Sequence, residues 1–403
     1  MSGARKNICI VAVNYFPEVT GCAPYTTDLA ENLVELGHTV TVITAAPHYP
    51  QWSIPAEYKS PERKTETING VTVLRCPIYV PKKMSALARI AFEASFLLSA
   101  WWRSRKVCAD LAIAVSPALG DVVVGSWLAK RNKIPFGVLV QDLMTAATTQ
   151  SNIAGGDKVA GLASAIESKY LRRADSVAAI TESFSESILG LGVDSARVVV
   201  SPNYSVKDIV QIPRSEARQM LGWTATDFVL THTGNMGLKQ DLGNLISAIR
   251  LVDEPNVKLL LVGDGSQRAE LEIQAGNDPK IEFMGLVDEK DYSALLSASD
   301  VLLLNEAPTI TDMSLPSKLT AYEAAGRPIL GAVVPDGNTS KVLTQLGCAT
   351  QVPAGDPRAL ADAVCKLVAN FNTGEPVTAP SEPTTDSGQL REQRLAWVQS
   401  LIK

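Results

Sequence analysis

The sequence predicts an α/β protein built from two doubly wound, parallel-sheet domains, and three observations predict it. Its 403 residues exceed one ordinary core and suit two domains of about 200 residues each. Short runs rich in β-branched residues alternate with longer helical patterns, the signature of parallel strands covered on both faces. The alternation breaks once, at "SPNYSVKDIVQIP" (201–213), which carries two prolines and no clear period, and then begins again.

The first series opens with the strand "NICIVAVN" (7–14), a loop, and a helix near 24–36 that Gly37 closes. "TVTVIT" (39–44), "VTVLRC" (71–76), "LAIAVS" (111–116), "FGVLV" (136–140), "SVAAIT" (176–181) and "RVVVS" (197–201) continue it. The second series comprises "DFVLTHTG" (227–234), "VKLLLVG" (257–263), "KIEFMG" (280–285), "DVLLLN" (300–305), "RPILGAV" (327–333) and "ATQVP" (349–353). Helical patterns fall between these strands, near 241–251, 266–275, 289–298, 317–326, 338–346 and 357–370. Residues 371–388 are rich in Pro, Thr, Ser and Gly and read as a surface connection before a short amphipathic helix, 389–403. The expected division is 1–203, 204–386, and a C-terminal helix, 387–403, that returns to the N-terminal domain. Two such domains imply a cleft between them, with ligands beyond the carboxyl ends of the strands.

Composition narrows the function. Apolar residues make up 46% of the chain and charged residues 20%, as in a well-packed globular protein. A net charge of -5 argues against nucleic acid as a partner. The six cysteines contain no C-x-x-C pair and mostly sit in apolar runs, so they read as buried free thiols of a reducing compartment. Three histidines are too few and too dispersed for a histidine-based metal site. No apolar run reaches the roughly 18 residues of a spanning helix, and no signal peptide is visible, so the expected location is cytoplasmic.

Five loops that follow strands hold the candidate chemistry. In "FPEVTGCAP" (16–24), Gly21 permits close backbone approach before a helix N-terminus, although the loop is equally an ordinary strand-to-helix connection. It is not G-x-G-x-x-G, so a dinucleotide site of the usual kind is unsupported. In "THTGNMGLKQDL" (231–242), Gly234 and Asn235 expose backbone amides and Lys239 adds a compact charge suited to phosphate. "LVGDGSQRAELE" (261–272) places Gly263 in a tight turn whose role is structural or functional on equal terms. "MSLPSKLTAYEAAGRP" (313–328) starts a helix with Lys318 in its first turn, where a cation is badly placed against the helix dipole unless an anion lies in front of it. With the amides of Ser317, Lys318 and Leu319 and with Lys239 opposite, this makes a clamp for a diphosphate. Finally, Gln141 and Asp142 follow the buried strand "FGVLV", which puts a carboxylate at the cleft edge or, alternatively, a cap on the next segment.

In this order, "VNYFPEVTGCAPYTTDLAENLVELGHTVTVITAAPHYPQW", "TGNMGLKQDL", "LLLVGDG", "FMGLV" and "LPSKLTAYEAAGRP" resemble the family 4 retaining glycosyltransferases of GT-B fold. The resemblance spans nearly the whole chain and is to the bacterial exopolysaccharide branch that includes colanic-acid-type fucosyltransferases. It implies a nucleotide-diphosphate sugar bound by the C-terminal half, with Lys239 and the Gly234-Asn235 amides on the diphosphate. Gly285, Leu286 and Val287 would line the base pocket, Pro316 to Leu319 would face the phosphates, and Gly21 would approach from the N-terminal half. It further implies a glycan acceptor on a polyprenyl diphosphate and retention of anomeric configuration, with no metal. Two departures stand out. The family's Glu-x7-Glu pair falls on Met313 and Ala321, and Glu323 lies two residues late, about 200° around a helix. Gln141 stands where many members carry a histidine, which leaves sugar recognition to Gln141 or Asp142; His48, a lone loop histidine, is an alternative that reads more readily as structural. The missing glutamates keep a catalytically inactive scaffold in view, and a nucleotide-sugar epimerase of the same fold is the other alternative.

Residues 82–106, "KKMSALARIAFEASFLLSAWWRSRK", form one long helical pattern in which basic residues flank an aromatic-rich apolar run. Such a helix fits the anionic inner leaflet of a membrane, or the interior of the N-terminal domain, and one helix can do both.

Overall fold

The computed structural model describes residues 4–59, 64–81, 85–143, 156–206, 209–310, 318–347, 349–373 and 387–402. The chain divides into two units, Met1–Val206 with Gly388–Lys403, and Lys207–Ser387.

Unit 1 carries β1 (Asn7–Val11), β2 (Thr39–Ala45), β3 (Thr65–Ile68), β4 (Val71–Cys76), β5 (Leu111–Ser116), β6 (Phe136–Val140), β7 (Ser176–Ala179) and β8 (Val198–Val200) in the order β3-β4-β2-β1-β5-β6-β7-β8. All neighbours are parallel except β3, which returns against β4 with Ile68 opposite Val71. Its helices are α1 (Ala23–Glu35), α2 (Ala86–Ser104), α3 (Leu119–Asn132), α4 (Gly156–Leu171) and α5 (Glu182–Gly190). Alternate residues of β1 enter opposite cores: Cys9 and Val11 pack with Phe96 of α2 and Val122 of α3, Ile8 and Ile10 with Leu29 and Leu33 of α1. A strand buried on both faces has no polar side to show, which is why these strands read as unbroken apolar runs.

Every strand read from the sequence is present, and β3 is an addition. The Asn69-Gly70 turn that creates it has φ of 48° and 81°. Two successive positive φ values are what a two-residue hairpin turn requires, and Asn-Gly supplies them at least cost.

Unit 2 carries β9 (Phe228–Asn235), β10 (Val257–Asp264), β11 (Ile281–Met284), β12 (Val301–Asn305), β13 (Ile329–Val333) and β14 (Ala349–Pro353), all parallel, in the order β11-β10-β9-β12-β13-β14. Counted within the unit this is 3-2-1-4-5-6, the doubly wound order whose switch point lies between the first and fourth strands. Around it lie α6 (Arg214–Leu221), α7 (Leu242–Leu251), α8 (Arg268–Ala275), α9 (Glu289–Ala298), α10 (Lys318–Ala324), α11 (Asn338–Leu346) and α12 (Pro357–Thr373).

The last helix, α13 (Ser387–Leu401), completes unit 1. Trp397, Val398 and Leu401 join the α1-side core. A Cβ on Gly137 of β6 would lie 2.7 Å from Leu401 Cδ1, so the absence of a side chain there lets α13 dock. Arg394 is fully buried and donates to the carbonyls of Ser201 and Pro202 and to Asn203 Oδ1, its guanidinium over the Tyr204 ring. Tyr204 in turn donates to Asp28 at 2.6 Å. These contacts hold 201–206 against unit 1, so this part of the 201–213 stretch is packed and the division falls after Val206.

Helix α2 has two characters. Phe92, Phe96, Ala100 and Ser104, four residues apart, are buried. Leu87, Leu98 and Trp102 are 79%, 63% and 62% exposed, and Leu98, Trp101 and Trp102 border an open groove of about 640 Å³ with Pro77, Ile78 and Tyr79. Arg105 stacks over Trp101. Lys82 and Lys83 lie outside the described residues, and among those described no helix is long and apolar enough to cross a membrane.

The cysteines correct an expectation. Cys9 and Cys76 are buried, and burial lifts both thiols to about 12, but Cys108 and Cys365 are exposed free thiols. Cys108 sits in the connection before β5, and Cys365 lies on α12 beside Val364, outside the buried stripe of that helix.

Candidate functional site

The switch point of unit 2 opens early. β9 and β12 pair only through Leu230 opposite Val301 and Thr231 opposite Leu302, although β9 runs on to Asn235 and β12 to Asn305. The first residue of β9 beyond the last pair is His232, and its ring is fully buried. The next amide, Thr233 N, has lost its strand partner and donates instead to the hydroxyl of buried Tyr322 on α10. Unpaired buried amides are costly, so the tyrosine stabilises the parted strands.

Lys318, the first residue of α10, closes the opening. Its Nζ lies 3.0 Å from His232 Nε2 and 3.5 Å from Nδ1. Gly234 adopts φ +116°, and a Cβ there would lie 3.7 Å from Lys318 Cε and 3.9 Å from Nζ, so the lysine rests on bare backbone. Burial brings the Lys318 ammonium down to about 7, with Glu306 opposing the shift. Burial first, and Lys318 second, push His232 well below its usual value, so the imidazole is neutral. Burial raises the Glu306 carboxyl, against a 2.6 Å bond from Thr339 Oγ1 on α11.

Around this couple the loops are laced together. Asn305, buried at the end of β12, donates to the carbonyls of Gln240 and Asp241 and accepts from Asn244. Ala307 N donates to Lys239 O at 2.9 Å, which ties the turn holding Lys239 to the loop after β12, with the Lys239 side chain exposed. Gly263 is a structural necessity: a Cβ would fall 2.0 Å from Gly234 O. Gly265 is equally confined, 2.5 Å from Met236 O. The "GDG" turn therefore backs the "GNM" turn.

The structure thus assembles Gly234, Asn235, Gly263 and Lys318, with Lys239 on the adjoining turn. Leu319 is buried in the α10 core. Gly285 and Leu286 are exposed at the end of edge strand β11, and Val287 packs beside Met284 and Tyr292. Pro316 and Ser317 lie outside the described residues, as does Met313. Ala321 and Glu323 are both buried. Glu306 and His232, the residues that sequence reasoning passed over, each left one trace: a polar residue within, or directly after, an apolar strand.

The candidates in unit 1 are differently placed. Gly21 has φ +66° and precedes α1. The Gln141 amide exchanges two hydrogen bonds with Asn203, at 3.1 and 2.8 Å, and joins the Arg394 cluster. Asp142 Oδ1 accepts from Leu143 N at 2.8 Å. His48 is buried, its Nδ1 3.0 Å from Ala46 O and its ring against Phe92 and Trp52. Among the described residues no group of three or more metal-ligating side chains comes together.

Residues 20–204 match the glycosyl transferase 4-like domain, and residues 227–370 match the glycosyl transferases group 1 domain. WcaI of Escherichia coli (strain K12), named as a colanic acid biosynthesis glycosyl transferase, is 34% identical over 353 residues, 84% of each chain. Among solved structures, HepE of Anabaena in complex with UDP-glucose superposes with a TM-score of 0.70 at 17% identity, covering 98% of this chain and all of HepE. WaaG, a glycosyltransferase of lipopolysaccharide biosynthesis, gives 0.66 at 16% identity, over 98% and 94% of the two chains. The chain belongs to the group 1, family 4-like glycosyltransferases, and its fold is GT-B.

Proposed function

We propose that this glycosyltransferase moves a hexosyl unit from a nucleotide-diphosphate sugar to a polyprenyl-diphosphate-linked glycan in cell-surface polysaccharide biosynthesis, with retention of anomeric configuration. The observation that carries the reading is Lys318, a cation set against bare Gly234 backbone where β9 and β12 part. A diphosphate placed there meets a lysine and exposed amides, which stabilise the departing nucleoside diphosphate as the glycosidic bond breaks. WcaI points the same way by its name, and HepE by the UDP-glucose it holds. The exposed apolar side of α2, with Arg105 on Trp101, suits an anionic inner leaflet on which a lipid-linked acceptor is presented.

The test is turnover of a nucleotide-sugar panel with membrane extracts or synthetic polyprenyl-linked acceptors, the product anomer read by NMR. Sugar interconversion without acceptor would favour an epimerase instead. Polymer restored to a deletion strain by Lys239→Ala would favour a scaffold. Liposome flotation that depends on anionic lipid and weakens in Trp101→Ala/Trp102→Ala tests the membrane face; equal binding to neutral vesicles argues against it.

A further inference from the structure

A second concentration of positive charge lies at the opposite end of the unit 2 sheet, where the donor site makes no use of it. Asp300 immediately precedes β12, and β12 pairs with β13 through Leu302 opposite Ile329. Two residues earlier on each strand, Arg327 stands across from Asp300. Arg214, the first residue of α6, reaches one Asp300 oxygen with Nε at 2.8 Å and Nη2 at 2.6 Å. Arg218, one turn later, reaches the other oxygen, which also accepts from Val229 N at 2.7 Å. A carboxylate offers about four lone-pair sites, and all of these are taken before Arg327 is reached.

Arg327 is left over. Its guanidinium has no hydrogen-bond or ion-pair partner among the described residues, and its Nε is shut off from solvent. Arg218 is buried and spends Nε and Nη1 on the carbonyls of Ala298, Thr224 and Asp227. The Asp227 carboxylate, the other acid near Arg218, accepts from Thr224 N. Three guanidinium groups therefore face one saturated carboxylate. Beyond the cost of burial, the repulsion of Arg214 acts on the Arg327 charge more strongly than the attraction of Asp300. A guanidinium cannot shed its proton to relieve the crowding, so the excess charge stays until an anion joins it.

The Gln211 amide adds a donor at the same edge. Its Nε2 donates to Ala324 O at 3.0 Å and would lie 3.1 Å from a Cβ on Gly326, the residue before Arg327. We propose that Arg327, with Arg214 beside it, forms an anion site at the amino edge of the unit 2 sheet that holds one phosphate dianion, free or carried on a small ester. The fork of a guanidinium meets phosphate oxygens in pairs, and a dianion offsets the charge that Asp300 leaves uncompensated. Chloride, round and singly charged, does neither. The two ends of β12, five residues long, are about 17 Å apart, so this site is separate from the one at Lys318 and stands or falls without it.

Thermal unfolding of the full chain near pH 8, where phosphate is mainly the dianion, tests this with sodium phosphate and with glycerol phosphate against sodium chloride of equal ionic strength. Wild type should gain about 3 °C in Tm at about 10 mM phosphate. Arg327→Met should gain nothing over chloride and, freed of the repulsion, should be at least as stable as wild type in chloride alone. The general stabilisation that phosphate gives as an excluded salt acts on both proteins alike and cancels in this comparison. Arg327→Lys, which keeps the charge without the fork, should gain about half as much as wild type. Lys318→Met should gain as much as wild type. A stronger effect of inorganic phosphate than of glycerol phosphate identifies the free ion, the reverse an ester, and either supports the site. Equal gains in wild type and Arg327→Met overturn the proposal. So does a gain lost in Lys318→Met and kept in Arg327→Met, which places the phosphate in the donor site. A marked loss of stability of Arg327→Met in chloride makes the arginine a structural partner and also overturns it. If that variant does not fold, Arg327→Lys decides, and a gain equal to wild type sinks the site.

Discussion

The two sheets share one winding and fill it oppositely. Each places its first strand beside its second and beside the strand that starts the other half of the sheet, β9 between β10 and β12 and, with the β3 hairpin inserted, β1 between β2 and β5, so each has the same switch point. In unit 2 that point holds a lysine beside a neutral imidazole, resting on the backbone of Gly234. In unit 1 the corresponding turn after β1 is furnished with carboxylates. Asp121 of α3 accepts from Val13 N, and Glu18 accepts from the amides of His48 and Tyr49 at 2.7 and 2.9 Å. Burial lifts the nearby Cys22 thiol to about 12, with Asp121, Glu18 and Asp142 adding to the effect. The winding decides where a ligand can enter; the side chains decide the sign of the charge that is welcome there.

The sharpest way to break this contrast is Lys318→Met. Removing the partly buried cation should lower nucleoside diphosphate affinity about 100-fold, about 3 kcal/mol, by calorimetry at pH 7. A loss under threefold would mean that unit 2 does not use its cation. Glu18→Ala should act on the other side only. It strips two backbone amides of their acceptor and should lower unfolding stability by about 2–3 kcal/mol while nucleotide affinity stays unchanged. Equal losses of affinity in both variants would end the division of labour.

A third effect comes from pH. The folded Lys318 titrates near 7 and the unfolded lysine near 10.5, so between those values the unfolded chain binds more protons and stability rises with pH. Wild type minus Lys318→Met should gain about 1–2 kcal/mol from pH 7 to 8.5 in urea unfolding. A flat difference would place the lysine in water. The smallest effect is Asp121→Asn. Burial raises that carboxyl far above its usual value, and an amide oxygen can still accept from Val13 N, so stability at pH 7 should change by under about 1 kcal/mol.

The sequence made the sheets legible because parallel strands buried on both faces must be apolar throughout, and the strand order then located the switch point. β3 escaped because an edge strand such as "TETI" is polar on alternate residues and short; the Asn-Gly turn beside it was its only mark. Lys318 could be singled out as a cation at odds with its own helix. Its partner could not, since His232 lies 86 residues away and nothing local distinguishes a histidine that meets a lysine from one that caps a strand. Glu306 shows the same limit. It is adjacent to a strand end in the sequence, but its bond to Thr339 exists only because β12 and β13 lie side by side. Gln141 shows the limit again, since its hydrogen-bond partner Asn203 lies 62 residues away and no local pattern announces the pair.

The return of α13 to unit 1 also sets an order of events during synthesis. All of unit 2 is interposed between the two pieces of unit 1. While the ribosome is still making residues 207–387, the slot over Gly137 is empty and the carbonyls of Ser201 and Pro202 await Arg394. Unit 2 can reach its final form at that stage, and unit 1 cannot. The segment that finishes unit 1 is made only after all of unit 2, so the part of unit 1 that precedes the interposed unit is fully enclosed later than unit 2 can be.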